Sequence, residues 1–313
     1  MDSDQLNRYV GINIMEHHCQ VNTTYEPYSQ EPEYIETNRE LLKKISLGSV
    51  CKVLDLACGT GLLTDLILEL KPDLAVYGID ISRESLEIGR RKLQHKGLLA
   101  SDRASWERAI GSDQGIVMFA EGSADHLDFE SNYFDLAMMG NAIHLMPSKD
   151  KFLQEVRRVL APRGIFIFNS VFFVGTFAEG TEAVFAEWMK ESINILNSKN
   201  QELREAGKPP IPRKRGMVGR AFNKGWLSPM EWEEVLSRNG FEVTDNCKRL
   251  VPISQRGLEL VGAYGGLAEV LMSGYPIEIA SECLQKAVSH VFSNFGIMEI
   301  PRYWLEVTAI KSS

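Results

Sequence analysis

The stretch VLDLACGTG at residues 53–61 decides the fold class of this chain. Its first half is a short aliphatic run that contains Asp55, and its second half is a turn with Gly59 and Gly61. The segment 62–70 follows, with apolar residues at helical spacing. A buried strand that ends in a glycine-rich turn and continues into a helix is typical of an open α/β sheet, in which ligands bind at that turn.

The same alternation of strand and helix patterns continues to about residue 170. Near-continuous apolar strands separated by helices predict a doubly wound, mostly parallel sheet that is covered on both faces. After residue 170 the pattern predicts one or two amphipathic helices, then a polar loop, a helix opened by Ser228 and Pro229, further helices and a last strand. The predicted segments, in this order, are strands 50–56, 74–79, 116–120, 134–139 and 165–169, helices 62–70, 83–96 and 149–160, helical 172–197, loop 198–224, helix 229–237, strand 241–252, helical 255–295 and strand 303–310.

Composition limits the function classes. The chain has 313 residues and a net charge of −8, so its surface repels a phosphate backbone, and nucleic acid is not expected as a partner. The basic group of residues 213–215 with Arg220 has no interleaved aromatic residues and is interpreted as a solvated loop. The five cysteines are scattered, which favours free thiols, and no cysteine or histidine spacing predicts a metal site. Without a signal-like start or a membrane-spanning apolar run, we expect a cytoplasmic protein, monomeric or homodimeric.

Two cofactors fit a glycine-rich turn at this position. A nicotinamide or flavin dinucleotide requires G-x-G-x-x-G, but the third glycine position is occupied by Thr64 when counted from Gly59, and by Leu62 when counted from Ala57. Asp55 would also repel a pyrophosphate in a partly dry site. S-adenosylmethionine carries an ammonium and a sulfonium instead, and both are favoured by a carboxylate.

The motif at residues 53–61 resembles motif I of the class I S-adenosylmethionine-dependent methyltransferases, (D/E)-x-(G/A)-x-G-x-G, with Ala57 at the position of the commoner first glycine. The resemblance continues at the family's spacing in YGID at 77–80, GSAD at 122–125 and the segments 155–164 and 302–307. It covers about residues 45–170, 226–250 and 298–311. It implies a Rossmann-like methyltransferase fold with a seven-stranded sheet, S-adenosylmethionine as methyl donor and S-adenosylhomocysteine as product.

The resemblance also assigns donor-binding roles. Asp80 corresponds to the acidic residue that accepts hydrogen bonds from both ribose hydroxyls, which suits a carboxylate with two oxygens. Asp125 would accept from the adenine amino group, the Ala124 amide would reach a ring nitrogen, and Asn141 would contact the methionine portion through its backbone. The donor-binding set expected from the sequence is Asp55, Ala57, Gly59, Gly61, Asp80, Ile81, Ala124, Asp125 and Asn141.

The acceptor side depends on His144, which follows the fourth strand at its carboxyl edge. We expect it to act as a general base or to position the acceptor, although a His bonded within its own loop gives the same pattern. His17 and His18 are weaker candidates. Aromatic residues outside the shared sheet are expected either to pack lid helices or to line a pocket for an apolar small molecule. The candidates for substrate contact are Tyr25, Tyr28, Phe172 and Trp226.

These observations predict five regions and one leading function. The function is methylation of an O, N or C atom of a small, largely hydrophobic metabolite, such as a secondary metabolite. The alternatives are an NAD(P)-dependent oxidoreductase and a protein of the same fold that binds the donor without transferring methyl. The regions are an N-terminal helical cap at 1–45, the donor-binding core at 46–170, a helical lid insertion at 171–226, the rest of the core sheet at 227–254 and 297–313, and a second helical lid insertion at 255–296.

Overall fold

The computed structural model describes residues 21–214 and 226–313. Within these ranges, seven strands form one sheet in the order β3-β2-β1-β4-β5-β7-β6. The neighbours β3, β2, β1, β4 and β5 are parallel, and β7 is antiparallel to both β5 and β6. The strands are β1 (Lys52–Leu56), β2 (Ala75–Asp80), β3 (Ile116–Glu121), β4 (Phe134–Gly140), β5 (Leu160–Ser170), β6 (Phe241–Ser254) and β7 (Glu299–Lys311).

Helices cover both faces of this sheet. Leu54 and Phe168 belong to the core on one face, and Val53 and Ile167 to the core on the other, because successive side chains of a strand point to opposite sides. The helices are α1 (Glu26–Ser29), α2 (Pro32–Leu42), α3 (Leu62–Leu70), α4 (Arg83–His95), α5 (Arg103–Arg108), α6 (Lys149–Val159), α7 (Glu182–Glu205), α8 (Pro229–Arg238), α9 (Gln255–Ala263), α10 (Gly265–Leu271) and α11 (Ile277–Phe295). The predicted doubly wound, mostly parallel α/β fold is confirmed.

Several helix starts follow the predicted capping chemistry. The Ser82 hydroxyl accepts from the Ser85 N–H at the start of α4. At α8, the Ser228 side chain accepts from the Glu231 N–H, while the Glu231 carboxylate accepts from the Ser228 N–H. These reciprocal bonds satisfy backbone donors that the first turn leaves open, which is why both helices begin at the predicted residues.

Several elements differ from their prediction, among them strand β5, which begins at Leu160 rather than 165. The polar connection around Trp106 contains α5, because Asp102 caps it and the fully buried indole packs against the sheet and donates to the Val76 carbonyl over 3.0 Å. Helix α7 begins only at Glu182 and runs eight residues into the predicted loop, to Glu205. Strand β7 begins at Glu299 rather than 303, since β6 continues to Ser254 and pairs with it throughout.

Helices α7, α9, α10 and α11 pack together as a separate apolar layer beside the sheet. Trp188 of α7 is buried in this layer and donates from its indole nitrogen to the Leu284 carbonyl of α11 over 2.8 Å. In the part of the chain described above, none of the helices has the length and apolarity needed to cross a bilayer. The predictions for His17, His18, Arg215 and Arg220 concern residues outside the described ranges.

Candidate functional site

The turn after β1 lies at the carboxyl edge of the sheet, between the neighbours β2 and β4. Its backbone is left-handed at Ala57, Gly59 and Gly61, with φ of 52°, 55° and 90°. Gly61 cannot be replaced without strain, since a Cβ there would also lie 2.7 Å from the ring of Phe119. The left-handed backbone and the close packing on Phe119 therefore explain why the turn contains glycine at position 61.

Asp80 ends β2 directly beside this turn. Its Oδ2 accepts from the Gly59 N–H over 2.8 Å, and its Oδ1 accepts from the Ser82 N–H over 2.7 Å. Each carboxylate oxygen retains acceptor capacity, so the two backbone bonds fix the orientation of the group without exhausting it. Ile81, the next residue, exposes 77% of its surface at the same edge. The structure thus places both predicted residues beside the glycine turn.

Asp55 lies beneath the turn and is fully buried. Its Oδ2 accepts from the Thr64 hydroxyl over 2.7 Å, while its Oδ1 has no hydrogen-bond partner within the described residues. Burial raises the pKa of this carboxyl to about 7, and the negative charge of Asp80 adds to the rise. Thr64 occupies the position of the third glycine of the dinucleotide motif, and its hydroxyl therefore orients the Asp55 carboxyl beneath the turn.

The loop after β3 forms the next part of the same edge. Ala124 is buried, and Asp125 accepts from the Ser123 hydroxyl over 2.6 Å and pairs with Lys151 over 3.3 Å. The hydrogen bond from Ser123 and the ammonium of Lys151 lower the pKa of Asp125. The carboxylate is thus ionised and oriented by its own loop before any ligand arrives.

Asn141 follows β4 in a left-handed conformation, with φ of 47°. Its N–H donates to the side-chain oxygen of Asn169 over 2.9 Å, and its own side-chain oxygen accepts from the Val171 N–H over 3.0 Å. Asn169 in turn donates to Asn38 of α2 over 2.9 Å. The Asn141 N–H is engaged within the protein, so its carbonyl is the backbone group left for a ligand.

His144 lies in a short 3₁₀ turn after β4, with its ring centroid 4.0 Å from that of Phe172. Its Nδ1 is 3.4 Å from the Ser170 hydroxyl. Burial lowers the pKa of His144 to about 3, and the positive charges of Lys149 and Arg302 lower it further. The imidazole is therefore neutral at pH 7 and is a weak base.

The four aromatic residues expected at the substrate form two groups. Tyr25 and Tyr28 pack edge-to-face at 5.2 Å, and Tyr25 also meets Tyr264, between α9 and α10, at 5.3 Å. Burial raises the pKa of both Tyr25 and Tyr28, so their hydroxyls stay protonated. Phe172 and Trp226 form the second group, with ring centroids 5.6 Å apart.

Residues 22–26 contact both the glycine turn and the helices α9 and α10. Glu26 accepts from the Thr60 hydroxyl of the turn and forms an ion pair with Lys92 of α4. Asn22 donates from its backbone to the Ala263 carbonyl over 2.8 Å and accepts from the Gly265 N–H over 2.9 Å. The segment 22–26, called the strap below, is therefore hydrogen-bonded to the glycine turn at one end and to α9 and α10 at the other.

Sequence reasoning missed Glu26, Asn38 and Arg302 as parts of this site. Each is distant in sequence from the residues it contacts. Glu26 lies in the strap, Asn38 in α2 and Arg302 near the start of β7. Glu26 sits in a short acidic and aromatic segment without periodicity, so no local pattern marked it. Arg302 stood in the segment identified as the closing strand, but its neighbours depend on how β5 pairs with β7.

Part of the chain matches a known protein family. Residues 54–168 match a family described as a methyltransferase domain, which places the domain in the class I fold. A demethylmenaquinone methyltransferase of Symbiobacterium thermophilum is 37% identical over 131 residues, which cover 42% of this chain and 46% of that protein. The chain thus spans less than half the length of this curated relative.

Solved structures are similar in fold only. The YcgJ protein from Bacillus subtilis superposes with a TM-score of 0.50 and 17% identity, over 89% of this chain and 99% of that one. The [4+2]-cyclase SpnF gives a TM-score of 0.50 and 17% identity, over 89% of this chain and 82% of that one. Because the second is named for a cyclisation, the shared fold does not by itself identify a reaction.

Proposed function

We propose that this chain, whose residues 54–168 are a methyltransferase domain of the class I family, transfers the methyl group of S-adenosylmethionine to a small, largely hydrophobic metabolite. The observation that carries the proposal is the Asp80 carboxylate, fixed by the Gly59 and Ser82 N–H groups beside the left-handed glycine turn. A carboxylate in this position is suited to accept from two vicinal hydroxyls, as a ribose presents them.

The residues of the edge fit this donor. Asp55 has a buried carboxylate oxygen without a partner in the described residues, and a cation above the turn would favour its ionised form. Asp125 is ionised and can accept from the adenine amino group, while Ala124 and the Asn141 carbonyl offer backbone groups. A pyrophosphate would instead meet the negative charge of Asp80 and would oppose ionisation of Asp55. Bound S-adenosylmethionine supplies an electrophilic methyl group on a sulfonium sulfur.

On the acceptor side, Phe172 packs on His144 and Trp226 packs on Phe172, while Tyr25 and Tyr28 form a second aromatic group. Such a lining aligns the acceptor and excludes water, which is the main contribution of a protein to an in-line displacement. The atom methylated is O, N or C. The name of the relative, demethylmenaquinone methyltransferase, makes a quinone-type ring one class of acceptor to test.

The proposal is tested by incubating the protein with S-adenosylmethionine and a panel of quinols, phenols, carboxylic acids and amines. Release of S-adenosylhomocysteine that depends on one acceptor class, together with a methylated product by mass spectrometry, supports it. A second candidate is donor binding without transfer, because a fold shared with a protein named as a cyclase does not identify the reaction. That candidate predicts tight binding of S-adenosylmethionine and no S-adenosylhomocysteine with any acceptor.

His144→Ala is expected to lower kcat/KM for the acceptor by about tenfold and to leave donor affinity unchanged. General bases contribute about 100- to 10,000-fold, but a ring whose pKa is about 3 accepts a proton poorly, so we assign His144 a positioning role. For the same reason kcat should show no histidine ionisation between pH 6 and pH 8. A loss above 100-fold that also removes an acidic limb of the wild-type pH profile, where activity rises as a base loses its proton, would contradict this role.

Glu26→Ala is expected to increase the dissociation rate of S-adenosylhomocysteine by about tenfold, since it removes a charge-assisted bond to Thr60 and the ion pair with Lys92. Stopped-flow displacement measures the rate. Glu36→Ala, at a carboxylate with 61% of its side chain exposed, is the matched control. Equal rates in wild type and Glu26→Ala would show that the strap does not retain the ligand.

A further inference from the structure

Arg302 lies in β7 just beyond the carboxyl end of β5, where Leu305 pairs with Ser170. Its Nε donates to the Thr176 hydroxyl over 2.9 Å, and its Nη2 donates to the Val171 carbonyl over 3.0 Å. The guanidinium carbon also lies 5.5 Å from the ring centre of Phe172. The side chain is thus held in one orientation by the segment that follows β5.

The charge of Arg302 has no carboxylate partner within residues 21–214 and 226–313, and its Nη1 makes no hydrogen bond there. Arg249 on the adjacent strand β6 differs, because it pairs with the buried Glu306. Burial lowers the pKa of Arg302 to about 10, so it remains charged at pH 7. Arg302 is half-buried, and a cation partly withdrawn from water is costly unless it is paired, a cost that nearby aromatic faces offset in part.

The position of this charge coincides with the acceptor side of the site. Phe172 contacts both Arg302 and His144, and the Arg302 charge contributes to the low pKa of His144. Burial raises the pKa of the Tyr25 and Tyr28 hydroxyls, and the positive charge of Arg302 opposes that rise. The donor-side carboxylates Asp55 and Asp80 lie on other strands, so the cation and the anions occupy different parts of the edge.

We propose that the methyl acceptor carries an ionised oxygen acid, a carboxylate or a phenolate, and that Arg302 binds this oxyanion. The proposal rests on the proposed function and specifies its substrate class. A guanidinium presents N–H donors in a plane that matches such groups, which makes arginine better suited than lysine to this task. The rings around it favour a planar, apolar skeleton for the rest of the acceptor.

An anionic acceptor also accounts for the weak basicity of His144. The acceptor oxygen supplies the electron pair of the new O–CH₃ bond, the S–CH₃ bond breaks with its pair remaining on sulfur, and no proton has to leave. A positive and a negative group become neutral in this step, so removal of water favours it. A neutral hydroxyl or ammonium acceptor would instead need a stronger base than His144 provides.

A purely structural role for Arg302 makes a different prediction. If the guanidinium only joins Thr176 and the Val171 carbonyl to β7, its loss lowers stability but does not alter the preference between charged and neutral ligands. The decisive quantity is therefore the ratio of affinities for an anion and for a neutral molecule of the same shape. This ratio is measured by equilibrium binding and does not depend on turnover.

The test is calorimetric titration of the full chain, saturated with S-adenosylhomocysteine, with 2-naphthoate and with the neutral 2-naphthylmethanol. 4-Nitrophenol, whose ionised form is yellow, reports phenolate binding by its absorbance. Wild type should bind naphthoate at least about tenfold more tightly than the alcohol, or raise the ionised fraction of nitrophenol. A response to naphthoate identifies a carboxylate acceptor, and a response to nitrophenol identifies a phenolate acceptor. Arg302→Met should abolish the response and Arg302→Lys should retain part of it.

Arg163→Met is the matched control, because it removes one positive charge from an exposed side chain near the start of β5, at the end of that strand away from the site. It should behave like wild type. Wild type that shows no preference for either anion overturns the inference, whether or not Arg302→Met folds, and so does a preference that persists in Arg302→Met. Saturation with S-adenosylhomocysteine distinguishes failure of the methyltransferase proposal from failure of the Arg302 proposal. Failure to bind S-adenosylhomocysteine counts against the methyltransferase proposal.

Discussion

Replacement of Asp80 by alanine is expected to weaken the binding of S-adenosylhomocysteine by about 100-fold, or about 3 kcal/mol, because two charge-assisted hydrogen bonds to the ribose are lost. The variant also releases the Gly59 and Ser82 N–H groups, so the glycine turn loses the anchor that holds its shape. Calorimetric titration of wild type and variant gives the difference directly.

The control for this variant is Asp73→Ala. Asp73 precedes β2 at the opposite end of the strand, where it pairs with Lys71, so its loss makes the same change in net charge far from the turn. Its affinity for S-adenosylhomocysteine should equal that of wild type. If Asp80→Ala binds as tightly as the control, Asp80 does not hold the ribose, and the orientation seen here serves only the turn.

Asp55→Asn is expected to remove a pH dependence of stability. The folded-state pKa of Asp55 is raised from 3.8 to about 7, so between these values the folded protein holds a proton that the unfolded chain has lost. Stability conferred by this group is therefore greatest in acid and falls as pH rises from about 4 to about 7, by an amount on the order of 4 kcal/mol. The asparagine variant should lack this decrease.

Urea unfolding at pH 5 and pH 8 measures the effect. The stability of Asp55→Asn relative to wild type should be higher at pH 8 than at pH 5, and Asp73→Asn should show no such gain. Because a cation above the turn favours the ionised carboxyl, S-adenosylmethionine should stabilise wild type more at pH 8 than at pH 5. An equal pH dependence in wild type and Asp55→Asn would show that this carboxyl is already ionised in the folded protein.

The parts of the fold that the sequence predicted are those where local pattern and packing agree. Strand β1, the turn at residues 57–61 and helix α8 each carry their own signal, in aliphatic runs, glycines or a capping box. Helix α5 has a capping box at Asp102 and Ser105, but its six residues are polar except for Ala104 and Trp106 and show no apolar periodicity. The buried indole packs this helix against the sheet. The formation of α5 therefore depends on tertiary contact of Trp106 with the sheet.

The site divides in the same way. Asp80 and Asp125 were predictable because they end strands or follow them at the spacing of a known family. Thr64 was noted only as a missing glycine, yet its hydroxyl orients Asp55. Glu26 and Arg302 were missed because both contact the site through residues distant in sequence. Glu26 does so from the strap and Arg302 from the start of β7, and hydrophobic periodicity does not predict such contacts.

The central claim is that the turn at residues 57–61, with Asp80, binds S-adenosylmethionine rather than a dinucleotide. Paired calorimetric titrations of the full chain with S-adenosylhomocysteine and with NAD⁺ and NADP⁺ test it most directly. We predict saturable 1:1 binding of S-adenosylhomocysteine that is weakened by Asp80→Ala, and no heat from either dinucleotide. Tight binding of NAD⁺ or NADP⁺ without binding of S-adenosylhomocysteine would contradict it.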